Sequence, residues 1–121
     1  MSILRVLVVE DETMIALLLA DVLAGMGHDV CSIESTETGA IAAAVRCKPG
    51  LLIVDALLRE GSGVSAVEEI LRAGFVPHLF VSGETMSVQA RMPGAVVIQK
   101  PFRETDLARA IQRALNAPTS P

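Results

Sequence analysis

The sequence predicts a doubly wound α/β domain built on a five-stranded parallel sheet, and three observations lead there. Apolar runs of strand length alternate five times with segments whose apolar residues recur at three- and four-residue steps. The strand candidates are apolar on both faces, as they must be when helices cover both sides of a parallel sheet. The length, 121 residues, suits a single domain: enough to bury a core without staples, too little for two ordinary ones.

Residues 3–9 (ILRVLVV) form the first strand candidate, ended by Glu10 and Asp11. Met14, Ile15, Leu18, Leu19, Val22 and Met26 then mark an amphipathic helix over 13–26, stopped by Gly25 and Gly27. A short strand near 29–33 leads to Ser35, the expected N-cap of an Ala-rich helix with Ile41, Ala44 and Val45 facing inward, and Pro49 with Gly50 closes that unit. Residues 51–55 are the third strand and 60–63 a turn. Val64, Val67, Ile70 and Leu71 form the buried stripe of a third helix, ended by Ala73 and Gly74.

The fourth strand is expected at 77–81 and the fifth at 95–99. The helix between them, in TMSVQARMPG, is predicted to be short or mobile, because Thr85, Ser87 and Val88 are poor formers and Pro93 with Gly94 cuts it off. Leu107, Ala110, Ile111, Ala114 and Leu115 mark the last helix, followed by an APTSP tail at 117–121. Right-handed crossovers cover both faces only if the winding reverses, and strand order 2-1-3-4-5 is one of the two common solutions.

Composition narrows the function. Hydrophobic residues make up 51% and aromatic ones 2%, so the core is aliphatic. A formal charge of -4 and the lack of any Lys/Arg run argue against direct nucleic-acid binding. The longest apolar stretches fall short of the roughly 18 residues of a membrane span, and the N-terminus has only Arg5 before a strand-like run, so a soluble, unexported, cytoplasmic protein is expected. Cys31 and Cys47 have no metal or redox spacing and read as reduced packing residues. His28 and His78 read as loop or surface histidines outside any site.

Ligands in doubly wound sheets bind beyond the carboxyl ends of the strands, where the winding reverses. The first strand ends in Glu10 and Asp11, the third in Asp55, the fourth in Ser82 and the fifth in Lys100. In the stretch LLIVDALLRE an aspartate interrupts an apolar run, and a carboxylate brought toward an apolar interior is costly unless something pairs with it. With the first and third strands adjacent, three carboxylates converge. Two like charges about 4 Å apart at an effective dielectric near 20 cost roughly 4 kcal/mol, so a cation is the simplest remedy. Hard oxygen ligands with room for water suit Mg2+, with Ca2+ or Mn2+ as substitutes.

Lys100 and Ser82 on the far side of Asp55 complete a set of groups suited to a phosphoryl group, which an aspartate oxygen can attack in line. Singly these residues have blander accounts: Asp55 as a turn cap, Glu10 and Asp11 as N-caps, Lys100 as a surface lysine. Their joint placement at successive strand ends outweighs those accounts. An aspartyl phosphatase would want a second acid where Leu57 stands. GSGVSA at 61–66 lacks the strand and acidic partner of a dinucleotide site and reads as a turn and helix cap.

With VLVVEDE at 6–12, LIVDALL at 52–58, FVSG at 80–83 and QKPF at 99–102, the chain resembles the receiver domains of two-component signalling, the CheY-like response regulators. The resemblance covers essentially the whole chain as one domain, 1–121, and implies a flavodoxin-like fold. It implies that Asp55 accepts a phosphoryl group from a histidine kinase or phosphotransfer protein. Asp11, Asp55 and the Leu57 carbonyl would bind Mg2+, with Glu10 acting largely through water. Ser82 would hold a phosphoryl oxygen and Lys100 would pair with the phosphate. A cis bond between Lys100 and Pro101 is also implied.

Three positions depart from the family pattern. Val97 stands where an aromatic switch residue is usual, Arg59 replaces a common proline, and Glu84 lies near enough to Ser82 to influence an attacking water. PHLFVSGE also resembles the Phe-Ala-Thr-Gly motif of an atypical receiver subgroup that lacks the aromatic switch. The resemblance implies a monomer or weak dimer that catalyses only its own phosphorylation and dephosphorylation. It would signal by protein contact through the face of the fourth helix, fifth strand and fifth helix. The alternatives are a receiver excised from a hybrid kinase or larger regulator, and a degenerate receiver serving as a constitutive binding module.

Overall fold

The computed structural model describes residues 3–117. Five βα units follow one another: β1 (Arg5–Val9), α1 (Thr13–Gly25), β2 (Asp29–Glu34), α2 (Glu37–Cys47), β3 (Leu51–Asp55), α3 (Gly63–Leu71), β4 (His78–Ser82), α4 (Thr85–Arg91), β5 (Val97–Gln99) and α5 (Glu104–Asn116). All strands are parallel, in the order β2-β1-β3-β4-β5. The expected doubly wound sheet is therefore present. Within the tail anticipated at 117–121, residues 118–121 lie outside the described residues.

The two-residue period of the strands sorts their side chains into two cores. Val6, Val8, Ile53, Leu79 and Val81 pack against Leu19 and Leu23 of α1 and Leu107 and Ile111 of α5. Leu7, Val9, Leu52, Val54 and Phe80 meet Ala40 and Ala43 of α2 and Val64, Val67 and Ile70 of α3. Every residue of β3 is buried, as the centre of a sheet covered on both sides requires. The β1–β3 register pairs Val9 with Val54, which brings Glu10 beside Asp55 where the two strands end.

Several local expectations need correction. In α1, Met14, Leu17 and Leu18 are exposed while Ala16, Leu19 and Leu23 are buried. The helix is apolar almost all round, so its periodicity could not choose the buried face. In α2 the buried positions are Ala40, Ala43 and Cys47, whereas Val45 is exposed and Ile41 and Ala44 sit at the margin. Small side chains let α2 lie close to the sheet. Thr36, not Ser35, is the N-cap: its hydroxyl accepts from the Gly39 N–H at 3.0 Å because β2 runs on to Glu34.

His28 lies in the loop between α1 and β2, as one of the two expected readings had it, but is buried there. Gly27, at φ +88°, turns the chain after α1 so that His28 Nδ1 accepts from the Leu4 N–H at 3.2 Å. His78 is half-buried at the start of β4, between the rings of Phe75 and Phe80. Cys31 is the extra residue of a bulge in β2, where Val6 pairs with Val30 and Leu7 with Ser32. Burial, and then the neighbouring Cys47, push its thiol up to about 11. The short α4 is as expected, seven residues from Thr85 to Arg91.

Candidate functional site

The site lies at the carboxyl ends of β1, β3, β4 and β5. β1 delivers Glu10, whose N–H donates to the Glu34 carbonyl at 2.9 Å and whose side chain is buried. β3 delivers Asp55, 6% exposed, and one oxygen from each of Glu10, Asp11 and Asp55 falls within 4.8 Å of the other two. Lys100, just beyond β5, reaches back across the sheet: Nζ is 3.0 Å from Asp55 Oδ2 and 3.1 Å from Glu10 Oε1. The Lys100–Pro101 bond is cis.

The electrostatics are unbalanced in a specific way. Three acids face one interior cation, and Glu10 Oε1, although close to Lys100, accepts no well-directed hydrogen bond. Burial pushes the Glu10 acid up to about 7, helped by the hydrogen bond and charge of Asp55 and opposed by the Glu12 N–H and Lys100. Burial alone would lower Lys100, but Asp55 and Glu10 outweigh it and its net shift is upward. A buried, under-satisfied set of hard oxygens fits a divalent cation that keeps some of its water, as Mg2+ does.

The loop from β3 to α3 closes over this cluster. The Leu57 N–H donates to Asp55 Oδ1 at 3.1 Å while the Leu57 side chain is exposed. The Arg59 N–H donates to Asp11 Oδ2 at 2.7 Å. Ser62 donates its N–H to Glu37 Oε1 at 2.8 Å and its hydroxyl caps α3 through the Ser65 N–H. Gly63 permits the closure: a Cβ there would sit 1.9 Å from the Asp55 carbonyl oxygen and 2.8 Å from Val54 Cγ1. GSGVSA is thus the expected turn and cap, and it also packs directly on the backbone of Asp55.

One candidate side chain makes its hydrogen bonds outside the acidic cluster. Ser82 is buried at the end of β4, but its hydroxyl donates to the Glu84 carbonyl and accepts from the Glu84 N–H, both at 3.0 Å. The Glu84 carboxylate turns to α4, accepting from the Met86 N–H at 3.1 Å, rather than toward the acidic cluster. Two participants were not singled out for these roles from the sequence: Gly63, and Arg59 as a partner of Asp11. The first had a signal in its turn motif, but which backbone it would meet depends on the fold. A groove of about 600 Å3, lined by residues such as Ile41, Val45 and Phe75, lies between α2, α3 and the segment entering β4 and includes none of the clustered acids.

The response regulator receiver domain family matches residues 6–112. The chain is a response regulator receiver domain. This receiver is 35% identical over 115 residues to the phyllosphere-induced regulator PhyR of Methylorubrum extorquens, covering 92% of this chain and 43% of that protein. It is 31% identical over 116 residues to the transcriptional regulatory protein PdtaR of Mycobacterium tuberculosis, covering 93% and 57% respectively. The receiver therefore spans about half the length of the curated relatives it matches. The solution structure of the receiver domain of Erythrobacter litoralis PhyR superimposes with a TM-score of 0.89 at 34% identity, over 98% of this chain and 97% of that one. Receivers are signalling domains rather than classical enzymes. Among the described residues no helix is long and apolar enough to cross a membrane.

Proposed function

We propose that Asp55 is the phosphoacceptor of this receiver and that the donor is a histidine kinase or histidine phosphotransfer protein. The observation that carries the reading is the position of Asp55: buried at the end of the central strand, 3.0 Å from the Lys100 ammonium and clustered with Glu10 and Asp11. An Asp55 oxygen attacks phosphorus in line as the bond from phosphorus to the donor nitrogen breaks, leaving an acyl phosphate. Lys100 then pairs with a phosphoryl oxygen. Ser82 turns its hydroxyl from Glu84 to another.

Asp11, Asp55 and the Leu57 carbonyl are the residues that would hold Mg2+ directly, with Glu10 acting through water. When bound, the ion supplies charge neutralisation for the transferring oxygens. The added negative charge and the departure of Ser82 from the Glu84 backbone loosen the N-terminus of the seven-residue α4. With valine at position 97, the signal leaves through movement of α4 on the α4-β5-α5 face rather than through a rotating ring.

The downstream partner on this reading is a protein. One similar solved structure is described as an anti-anti-sigma factor, PhyR of Bartonella quintana, which is the kind of protein-contact output we infer here. The greater length of PhyR and PdtaR favours a second reading, in which residues 1–121 work as the receiver of a larger regulator. The test is labelling from a phosphohistidine donor and from a small phosphodonor, with and without Mg2+. Wild type takes up label only with the metal, and Asp55→Asn takes up none. Label retained by Asp55→Asn would overturn the assignment.

A further inference from the structure

Arg59 stands four residues after Asp55, and both its backbone and its side chain meet Asp11. The N–H donates to Asp11 Oδ2 at 2.7 Å, and the guanidinium Nε lies 3.9 Å from the same oxygen. Asp11 is largely enclosed, with its side chain 11% exposed, whereas the Arg59 side chain is 79% exposed. The acidic cluster thus lies between two cations: Lys100 on Glu10 and Asp55 from within the fold, and Arg59 on Asp11 from the solvent side.

The loop that carries Arg59 does not depend on its guanidinium. Its backbone is tied by Leu57 to Asp55, by Glu60 and Ser62 to Glu37, and by Gly63 to the Ala56 carbonyl. The side chain can therefore swing into water without unfolding the segment. A divalent ion that takes Asp11 adds two positive charges close to the guanidinium, and the two cations then compete for one carboxylate.

We propose that Arg59 is a built-in competitor of the divalent cation, neutralising Asp11 in the metal-free protein and setting how tightly the ion is held. The proposal rests on the reading of Glu10, Asp11 and Asp55 as the Mg2+ site. Because the guanidinium is so exposed, its effect is modest, roughly two- to fivefold in affinity, the range expected of a solvent-facing ion pair. It also falls as salt rises, since the screening length drops to about 10 Å at 0.1 M.

The experiment is calorimetric titration of the full chain with Mg2+ alone, at low and high salt, for wild type, Arg59→Ala, Arg59→Gln and Arg59→Lys. Arg59→Ala and Arg59→Gln are expected to bind two to five times more tightly at low salt, with the difference narrowing at high salt. Arg59→Lys, which keeps the charge, should stay near wild type. Equal or weaker binding by Arg59→Ala and Arg59→Gln, beside normal wild-type binding, overturns the role of Arg59 and leaves the metal site standing. Equal tightening in Arg59→Lys overturns it too, because charge is then not the cause. No binding by wild type or any variant at millimolar Mg2+ overturns the metal site and this proposal with it.

Discussion

Replacing Asp55 by asparagine keeps the shape of the site and removes one charge from its centre, and the sign of the resulting stability change reverses with pH. Donor oxygens of the three carboxylates lie within 4.8 Å of one another, and taken at that limit each ionised pair costs about 3.5 kcal/mol at an effective dielectric near 20. Asp55 takes part in two such pairs, and its attraction to Lys100 at 3.0 Å is worth about 5.5 kcal/mol on the same footing. At pH 8, with Glu10 ionised, the lost repulsions exceed the lost attraction, and Asp55→Asn should stabilise the metal-free protein by about 1–2 kcal/mol. At pH 5.5 Glu10, whose acid is pushed up to about 7, carries a proton. One repulsion is then gone before the mutation is made, and Asp55→Asn should destabilise by about 2 kcal/mol.

Urea unfolding in EDTA and low salt reads both values; the pH 8 gain corresponds to a midpoint shift of roughly 0.5–1 M for a protein of this size. Mg2+ at about a hundred times its dissociation constant should add about 2.7 kcal/mol to wild type and little to the variant. A variant that is less stable than wild type at both pH values, in EDTA, refutes the picture of mutually repelling carboxylates.

The raised Glu10 acid has its own consequence. The folded state holds this proton more tightly than the unfolded state, so the stability it contributes is complete below pH 4.5 and is lost as pH rises through about 7. Metal-free wild type should lose stability across that window in urea titrations, and Glu10→Gln should flatten the loss. Gly63→Ala drives a methyl group into the Asp55 carbonyl and should cost about 2–3 kcal/mol by thermal or urea unfolding, with shifted amide resonances around Asp55. Leu19→Ala should cost about 2–5 kcal/mol, whereas Met14→Ala, on the exposed side of the same helix, should stay within about 0.5 kcal/mol.

The alternation of strand and helix periods determined the fold class, because apolar strands of this length are stable in a parallel sheet only when helices cover both faces. The strand-end rule pointed to the candidate site as well, since Glu10, Asp11, Asp55, Ser82 and Lys100 follow apolar runs of strand length, and the structure gathers Glu10, Asp11, Asp55 and Lys100 at one rim. What the pattern left open was direction. α1 is apolar around most of its circumference, so only the packing of Leu19 and Leu23 against the sheet decided that Met14 and Leu18 face water. The partners inside the site were likewise a tertiary matter. That the Ser82 hydroxyl meets Glu84, that Arg59 meets Asp11 and that Gly63 rests on the Asp55 carbonyl depend on how a loop closes in space. Periodicity carries the hydrophobic term, which is non-directional and spread over many residues; hydrogen bonds and charge pairs are short-ranged and directional, and distances along the chain do not encode them.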